Sequence, residues 1–165
     1  MKWVVEWWGL PARLLIGSVW IAAGLIKLPD PAASVRAVRA YDLLPESVVP
    51  PVGHTLPILE LVVGVCLVLG LFTRPASAGS AVLFVAFITG IASAWARGLQ
   101  IECGCFGGGG FDADATSKYP WEIARDVGLL VLSILLAWRP RTPFAVDTFL
   151  FPTETHPAEG VRQPR

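Results

Sequence analysis

Four apolar runs dominate the sequence, at about 10–28, 55–72, 76–95 and 121–138. Each comes close to the ~20 residues that an α-helix needs to cross the ~30 Å hydrocarbon core of a bilayer. In that solvent every backbone N–H and C=O must find a partner within the protein, which restricts such runs to helices. They predict an all-α integral membrane protein, a four-helix bundle with a short surface helix in its first loop. Composition agrees. Of 165 residues, 54% are hydrophobic and 16% charged, against about a quarter charged in a soluble domain. One membrane domain, 1–140, fills most of the chain, and the Pro-rich, polar stretch 141–165 reads as a mobile tail.

The connections differ in kind. The stretch 29–54 carries Pro29, Pro31, Pro45, Pro50 and Pro51, and its middle, 32–44, has the pattern of an amphipathic helix on the membrane surface. Thr73, Arg74 and Pro75 form a tight turn between the second and third runs. Pro11, Pro75 and Pro120 open the first, third and fourth runs, where a missing N–H costs little. Trp3, Trp7 and Trp8, then Trp95, Trp121 and Trp138, suit the two headgroup zones. Gly17, Ala22, Ala23 and Gly24, and later Ala78, Gly79, Ser80, Ala86 and Gly90, let helix backbones approach closely.

The N-terminus resembles a signal peptide, with Lys2 before an apolar stretch at 14–24. Glu6, Arg13 and Lys27 interrupt that pattern and no small-residue cleavage site follows, so a retained helix is expected. Lys2, Arg13, Arg74, Arg139, Arg141, Arg162 and Arg165 fall on one side of the membrane. Lys27, Arg36, Arg39, Arg97 and Lys118 fall on the other. Positive residues concentrate on the cytoplasmic side, which places both termini in the cytoplasm. The first loop and the third loop, 96–119, then face the periplasm of a bacterial inner membrane. The formal net charge is zero and no basic stripe is present, which argues against a nucleic-acid partner; membrane lipid is the expected surrounding.

With this topology, ionisable residues gather at one end of the bundle. Lys27 closes the first run, Glu60 lies one to two turns into the second, Arg97 closes the third, and Arg125 and Asp126 lie about a turn into the fourth. Glu60 is expected roughly 7 Å below the rim at ~1.5 Å per residue. Charges at that depth are costly in lipid, so they should point inward and pair. Lys27 with Glu60 is the expected pair, with Arg125 competing for the same carboxylate. The alternative is a purely structural ion pair or a set of interfacial anchors.

Beside this cluster stand Cys103 and Cys105, separated by Gly104. Three cysteines in all are too few for a disulfide-rich scaffold. The close pair admits three readings. As a redox pair it would close a small, strained ring that exchanges readily with other thiols, with Arg97 or Lys118 raising the thiolate fraction. As metal ligands the two cysteines supply half a zinc site, and the only histidines are His54 and His156, so no metal is expected. As a structural disulfide they would pin the loop. Cys66 sits near the middle of its run and reads as apolar filler. The glycines at 107–110 are followed by no Lys-Ser or Lys-Thr and preceded by no strand, which excludes a phosphate loop; they read as a hinge.

Several blocks together resemble the methylamine-utilisation protein MauE family, within the wider DoxX-like group of small four-helix membrane proteins. They are Arg13-Leu14-Leu15-Ile16-Gly17, Ala23-Gly24-Leu25-Ile26-Lys27-Leu28, Ala40-Tyr41-Asp42-Leu43-Leu44-Pro45 and Pro57-Ile58-Leu59-Glu60 with Gly64. Arg97-Gly98 leading to Cys103-Gly104-Cys105-Phe106-Gly107 is the most specific, and Arg125-Asp126 completes the match over roughly 10–138. The resemblance implies a part in maturing methylamine dehydrogenase, whose small subunit carries many periplasmic disulfides. It further implies a thiol-disulfide role beside a thioredoxin-like periplasmic partner and, from other DoxX-like proteins, a possible quinone cofactor. The glycine-rich stretch and 112–118 look like an insertion after the family motif. The expected function is therefore a membrane thiol-disulfide oxidoreductase using Cys103 and Cys105, with Lys27, Glu60, Arg97, Arg125 and Asp126 shaping the pocket and tuning proton transfer. The competing reading is a non-enzymatic membrane subunit of a larger complex with a structural cysteine pair. A transporter fits less well, because no pair of broken helices repeats.

Overall fold

The computed structural model describes residues 2–104 and 110–138 and, singly, Val146, with side chains from Trp8 onward. Cys105, Phe106, the glycines at 107–109, Arg139, the tail 141–165 apart from Val146, and the side chains of Lys2, Trp3 and Trp7 lie outside the described residues.

Five helices follow in order: α1, Lys2–Lys27; α2, Pro31–Ala40; α3, Val49–Leu69; α4, Thr73–Ala96; and α5, Ala115–Trp138. Among the described residues there is no strand, only an isolated antiparallel bridge of Ile101 with Phe111. Three helical stretches, Trp8–Lys27, Val49–Leu69 and Thr73–Ala96, are long and apolar enough to cross a membrane. Their outward faces carry Leu25, Ile26, Ile58, Leu59, Val62, Val82 and Val85, each more than half exposed. Such a continuous apolar surface belongs in lipid. The protein is an integral membrane protein.

The helices begin earlier than the apolar runs suggest. Trp3, Trp7 and Trp8 lie within α1, and Pro11 is inside it rather than at its start. α3 starts at Val49 because Pro50 follows at once, where a proline's fixed φ favours a first turn. Pro57 is then an interior proline. Glu60 lies about 16 Å along the axis from the first residue of α3, at ~1.5 Å per residue, not the 7 Å expected. The turn before α4 is made by Gly70, Leu71 and Phe72, with Gly70 at φ +68 closing α3, so Thr73 and Pro75 already belong to α4's first turn. α5 opens at Ala115 and takes in Pro120. α2 is shorter than its pattern, since Asp30 caps its N-terminus through Ala33 N–H at 3.0 Å and Asp42, at φ +48, turns the chain away beyond Tyr41.

α1 and α3 run antiparallel with their backbones nearly touching. A Cβ on Gly17 would lie 2.9 Å from the Gly64 carbonyl oxygen, and one on Gly24 would lie 2.9 Å from that of Pro57. Small residues permit this approach where no hydrophobic drive separates helix from lipid. α4 packs along α5, and α2 lies across the start of α3 with Val35 against Gly53. The core joins Ile16 and Trp20 of α1 with Leu67, Phe84, Leu129 and Leu136. Within it Trp20 Nε1 donates to Ser80 Oγ at 2.7 Å, and Ser80 Oγ meets Ser133 Oγ at 3.0 Å. This neutral chain of hydrogen bonds ties α1, α4 and α5 together.

Candidate functional site

The site joins the end of α1 to the middle of α3 and α5 and the later half of α4. Lys27, the last residue of α1, donates from Nζ to Glu60 Oε1 of α3 at 2.6 Å, with both side chains almost fully buried. The glycine seam brings them together: Gly24 sits on Pro57, three residues before each partner. Lys27 Nζ also stands 5.2 Å from the Phe87 ring centroid, where the ring's negative face favours a cation. Arg125 donates to the neighbouring Asp126 Oδ1 at 2.9 Å rather than competing for Glu60. Arg125 and Asp126 line a small cleft with Trp20 and Ala23 of α1 and Phe84 and Phe87 of α4.

Second carboxylate oxygens are left over. Glu60 Oε2, Asp126 Oδ2 and Glu122 Oε2 are buried without a hydrogen-bond partner among the described residues. Buried polar atoms are rarely unmatched in this way; Ser77 Oγ of α4 is another such atom elsewhere in the bundle, but the three carboxylate oxygens all belong to α3 and α5. Glu122 was not among the expected residues. Its spacing of four before Asp126, which places both on one helix face, was the signal available for it.

The third loop leaves α4 through Arg97 and Gly98, the latter at φ +67. Around the Ile101–Phe111 bridge, Glu102 N–H donates to Gly110 O at 3.0 Å and Asp112 N–H to Gln100 O at 3.1 Å. Two short backbone segments are thus clipped together at the neck of the cysteine loop. Buried Tyr119 of α5 secures the neck, its hydroxyl donating toward the carbonyls of Leu99, at 2.8 Å, and Ile101, at 2.9 Å. Beyond the neck, Cys103 packs against a cluster of Ile91, Ala94, Ala115 and Tyr119, and Phe87 packs against the same cluster. Phe87 therefore connects the cysteine turn to the cleft and to Lys27.

α2 holds the turn from the other side. Tyr41 OH donates to the Cys103 carbonyl at 2.6 Å, and Arg97 donates to the Tyr41 carbonyl. Gly104 adopts φ +66, and a Cβ there would stand 3.0 Å from Ala37 Cβ of α2. Arg97 thus acts on the loop through Tyr41. Tyr119 escaped sequence reading and Tyr41 appeared only within a family-matching block, with no role, because a tyrosine that binds a distant carbonyl leaves no periodic trace. Outside the buried region, Lys118 donates to Asp112 at 2.6 Å. That bond, helped by the Asp114 N–H, holds the Asp112 carboxyl below its ordinary range, and Asp112 in turn raises Lys118.

The cleft beside Asp126 has room for about one water molecule. A quinone ring does not fit among these side chains. Among the described residues no group of three His, Cys, Asp or Glu could hold a metal ion.

A membrane-embedded helical protein with a buried ion pair beneath a braced cysteine turn is the class these features define. The family described as methylamine utilisation protein MauE matches residues 1–139, and the chain belongs to that family. It is 34% identical over 103 residues to methylamine utilization protein MauE of Paracoccus denitrificans, covering 62% of this chain and 54% of that protein. It is 38% identical over 119 residues to the protein of that name from Methylorubrum extorquens, covering 71% of this chain and 61% of that one. The matched region thus spans somewhat over half the length of these curated relatives. No solved structure matches the chain.

Proposed function

We propose that this protein is a membrane component of thiol-disulfide exchange, acting on periplasmic proteins through Cys103 and Cys105. The observation that carries the reading is the seating of Cys103. Its carbonyl is held by Tyr41 and its side chain packs on the cluster that Phe87 links to the pair of Lys27 and Glu60. In the proposed step a partner thiolate attacks one sulfur of the Cys103–Cys105 disulfide and that S–S bond breaks. The partner's second thiolate resolves the mixed disulfide. Two electrons pass to the cysteine pair, two protons follow to its sulfurs, and the partner leaves oxidised. A disulfide-bearing thioredoxin-like protein reverses the exchange and restores the pair. Lys27, Glu60, Arg125 and Asp126 give the adjacent end its polarity and proton-holding groups. The relatives' name suggests that the client is a protein of methylamine utilisation.

In this reading α5 is a fourth membrane crossing, supported by its packing along α4, and α2 rests on the periplasmic surface. Both termini lie in the cytoplasm at the bacterial inner membrane, residues 1–140 form the membrane domain, and 141–165 form a polar tail. The experiment replaces Cys103 and Cys105 with serine and follows the thiol state of periplasmic clients by alkylation in cells. Accumulation of reduced client is expected. Unchanged client oxidation, together with a stable stoichiometric complex in mild detergent, would instead favour a structural subunit.

A further inference from the structure

We propose that Glu122 and Asp126 of α5 form a proton-binding site inside the bundle, the two carboxyl groups holding one exchangeable proton between them. The site involves no cysteine, so it stands or falls apart from the thiol-disulfide reading. The two residues lie one turn apart on one face of α5, which sets their Cβ atoms roughly 6 Å apart. Asp126 is almost fully buried, and Arg125 reaches its Oδ1 with both Nε and a terminal nitrogen at 2.9 Å. Asp126 Oδ2 is left enclosed with no hydrogen-bond partner, and so is Glu122 Oε2. The cleft that Asp126 and Arg125 line is otherwise walled by Val19, Trp20, Ala23, Phe84 and Phe87. Trp20 Nε1 is the sole donor among those five side chains, and it is spent on Ser80. Whatever satisfies Oδ2 must therefore be as small as a proton, alone or carried by the one water the cleft admits.

Charge counting gives the stoichiometry. One guanidinium stands among two carboxylates on this stretch of α5, so full ionisation leaves one negative charge unbalanced. Enclosing an unbalanced charge is costly, and one bound proton removes it. α5 packs against α4 and α1. Lys27 of α1 does not supply the balance, because it is bonded to Glu60 of α3 and stands against the Phe87 ring. The other charged residue among the described side chains of α1 is Arg13, fourteen residues earlier. α4 carries only Arg74, exposed at its start, and Arg97 beyond its end holds the Tyr41 carbonyl. On α5 itself Lys118 is bonded to Asp112, and Tyr119 to the carbonyls of Leu99 and Ile101. Glu122 is only partly buried and lies one turn nearer the start of α5, so it is the member through which the proton exchanges with solvent.

The test is infrared difference spectroscopy of the full chain in lipid nanodiscs, between neutral and alkaline pH, in light and heavy water. A protonated carboxyl shows a C=O stretch above the amide I band that moves down in heavy water. Such a band is expected at neutral pH and should vanish on alkaline titration. Asp126→Asn and Glu122→Gln should each abolish it, because the surviving carboxylate then balances Arg125. Arg125→Gln should strengthen it about twofold, because two carboxyls are then left without a cation; a merely structural role for Arg125 would not do so. Circular dichroism checks the helix content of each variant, and the remaining substitutions decide the matter should one fail to fold. Absence of the band at neutral pH, or its survival in either carboxylate variant, overturns the site.

Discussion

Two lysine-carboxylate pairs in this protein have the same length and opposite surroundings. Lys27 meets Glu60 at 2.6 Å with side chains 3% and 0% exposed; Lys118 meets Asp112 at 2.6 Å with side chains 54% and 18% exposed. Distance alone would rank them equal. In water the gain is screened, and such exposed pairs contribute little to stability. In the membrane interior each charge has lost its hydration, and the pair persists because neither member can be left alone. The buried pair is therefore a commitment of the fold, and the exposed pair a local adjustment of a loop.

The largest effect should come from breaking the buried pair on one side. Glu60→Ala leaves Lys27 charged and enclosed, and about 3–5 kcal/mol of stability should be lost. Replacing both, as Lys27→Met with Glu60→Leu, should recover most of it. Unfolding in mixed micelles measures both. A single variant no less stable than Asp112→Asn would break the comparison.

Next comes the seam that brings the pair together. Gly64→Ala places a Cβ 2.8 Å from the Gly17 carbonyl oxygen and 2.8 Å from Ile21 N, with backbone on both sides. Overpacking of this kind costs about 1–3 kcal/mol. It should also loosen Lys27 from Glu60, so the loss in Gly64→Ala combined with Glu60→Ala should be less than additive in a double-mutant cycle. Strict additivity would mean that the seam and the ion pair are independent.

A neutral bond at the same kind of depth sharpens the contrast. Ser80→Ala removes the hydroxyl that accepts from Trp20 and meets Ser133. Interhelical hydrogen bonds in membranes average about 0.6 kcal/mol and reach about 1.7, well under the cost expected for Glu60→Ala. An equal cost would show that burial, and not charge, governs both.

These pairs were not equally legible in the sequence. Lys27 with Glu60 could be read because each is an isolated charge against an apolar run, and lipid tolerates such residues only in partnership. The three apolar spans were legible for a similar reason. Glu60 was misplaced along its helix because prolines at 50 and 51 looked like a loop, whereas they initiate α3. The spacing of Glu122 to Asp126 was a signal left unread, whereas the serine chain and the support of Cys103 by Tyr41 were illegible. They depend on which helix faces which, and side-chain periodicity reports only that a face is buried. Gly104 showed that a bend was needed; its seat against Ala37 appears only when α2 is docked.

The smallest effect belongs to the exposed pair and is a matter of pH and salt. Asp112 accepts from Lys118 and, through Oδ1, from Asp114 N–H at 3.0 Å, just before α5 begins. Its carboxyl is held below the ordinary value of 3.8, first by Lys118 and then by that backbone bond. The folded form therefore binds this proton less readily than the unfolded form. Its stabilising contribution is complete above pH ~4 and is lost as the pH falls through the lowered folded value. Amide-exchange protection at Asp114 and Ala115 should fade over that acidic interval, and Asp112→Asn should remove the pH dependence while leaving part of the backbone bond. The Lys118 share should also shrink between low and high salt, because an exposed pair is screened within about 10 Å at 0.1 M. Lys27 with Glu60, shut away from ions, should show no matching salt response. A buried pair that weakened with salt as readily as the loop pair would mean that water reaches Glu60, and the contrast between the two environments would collapse.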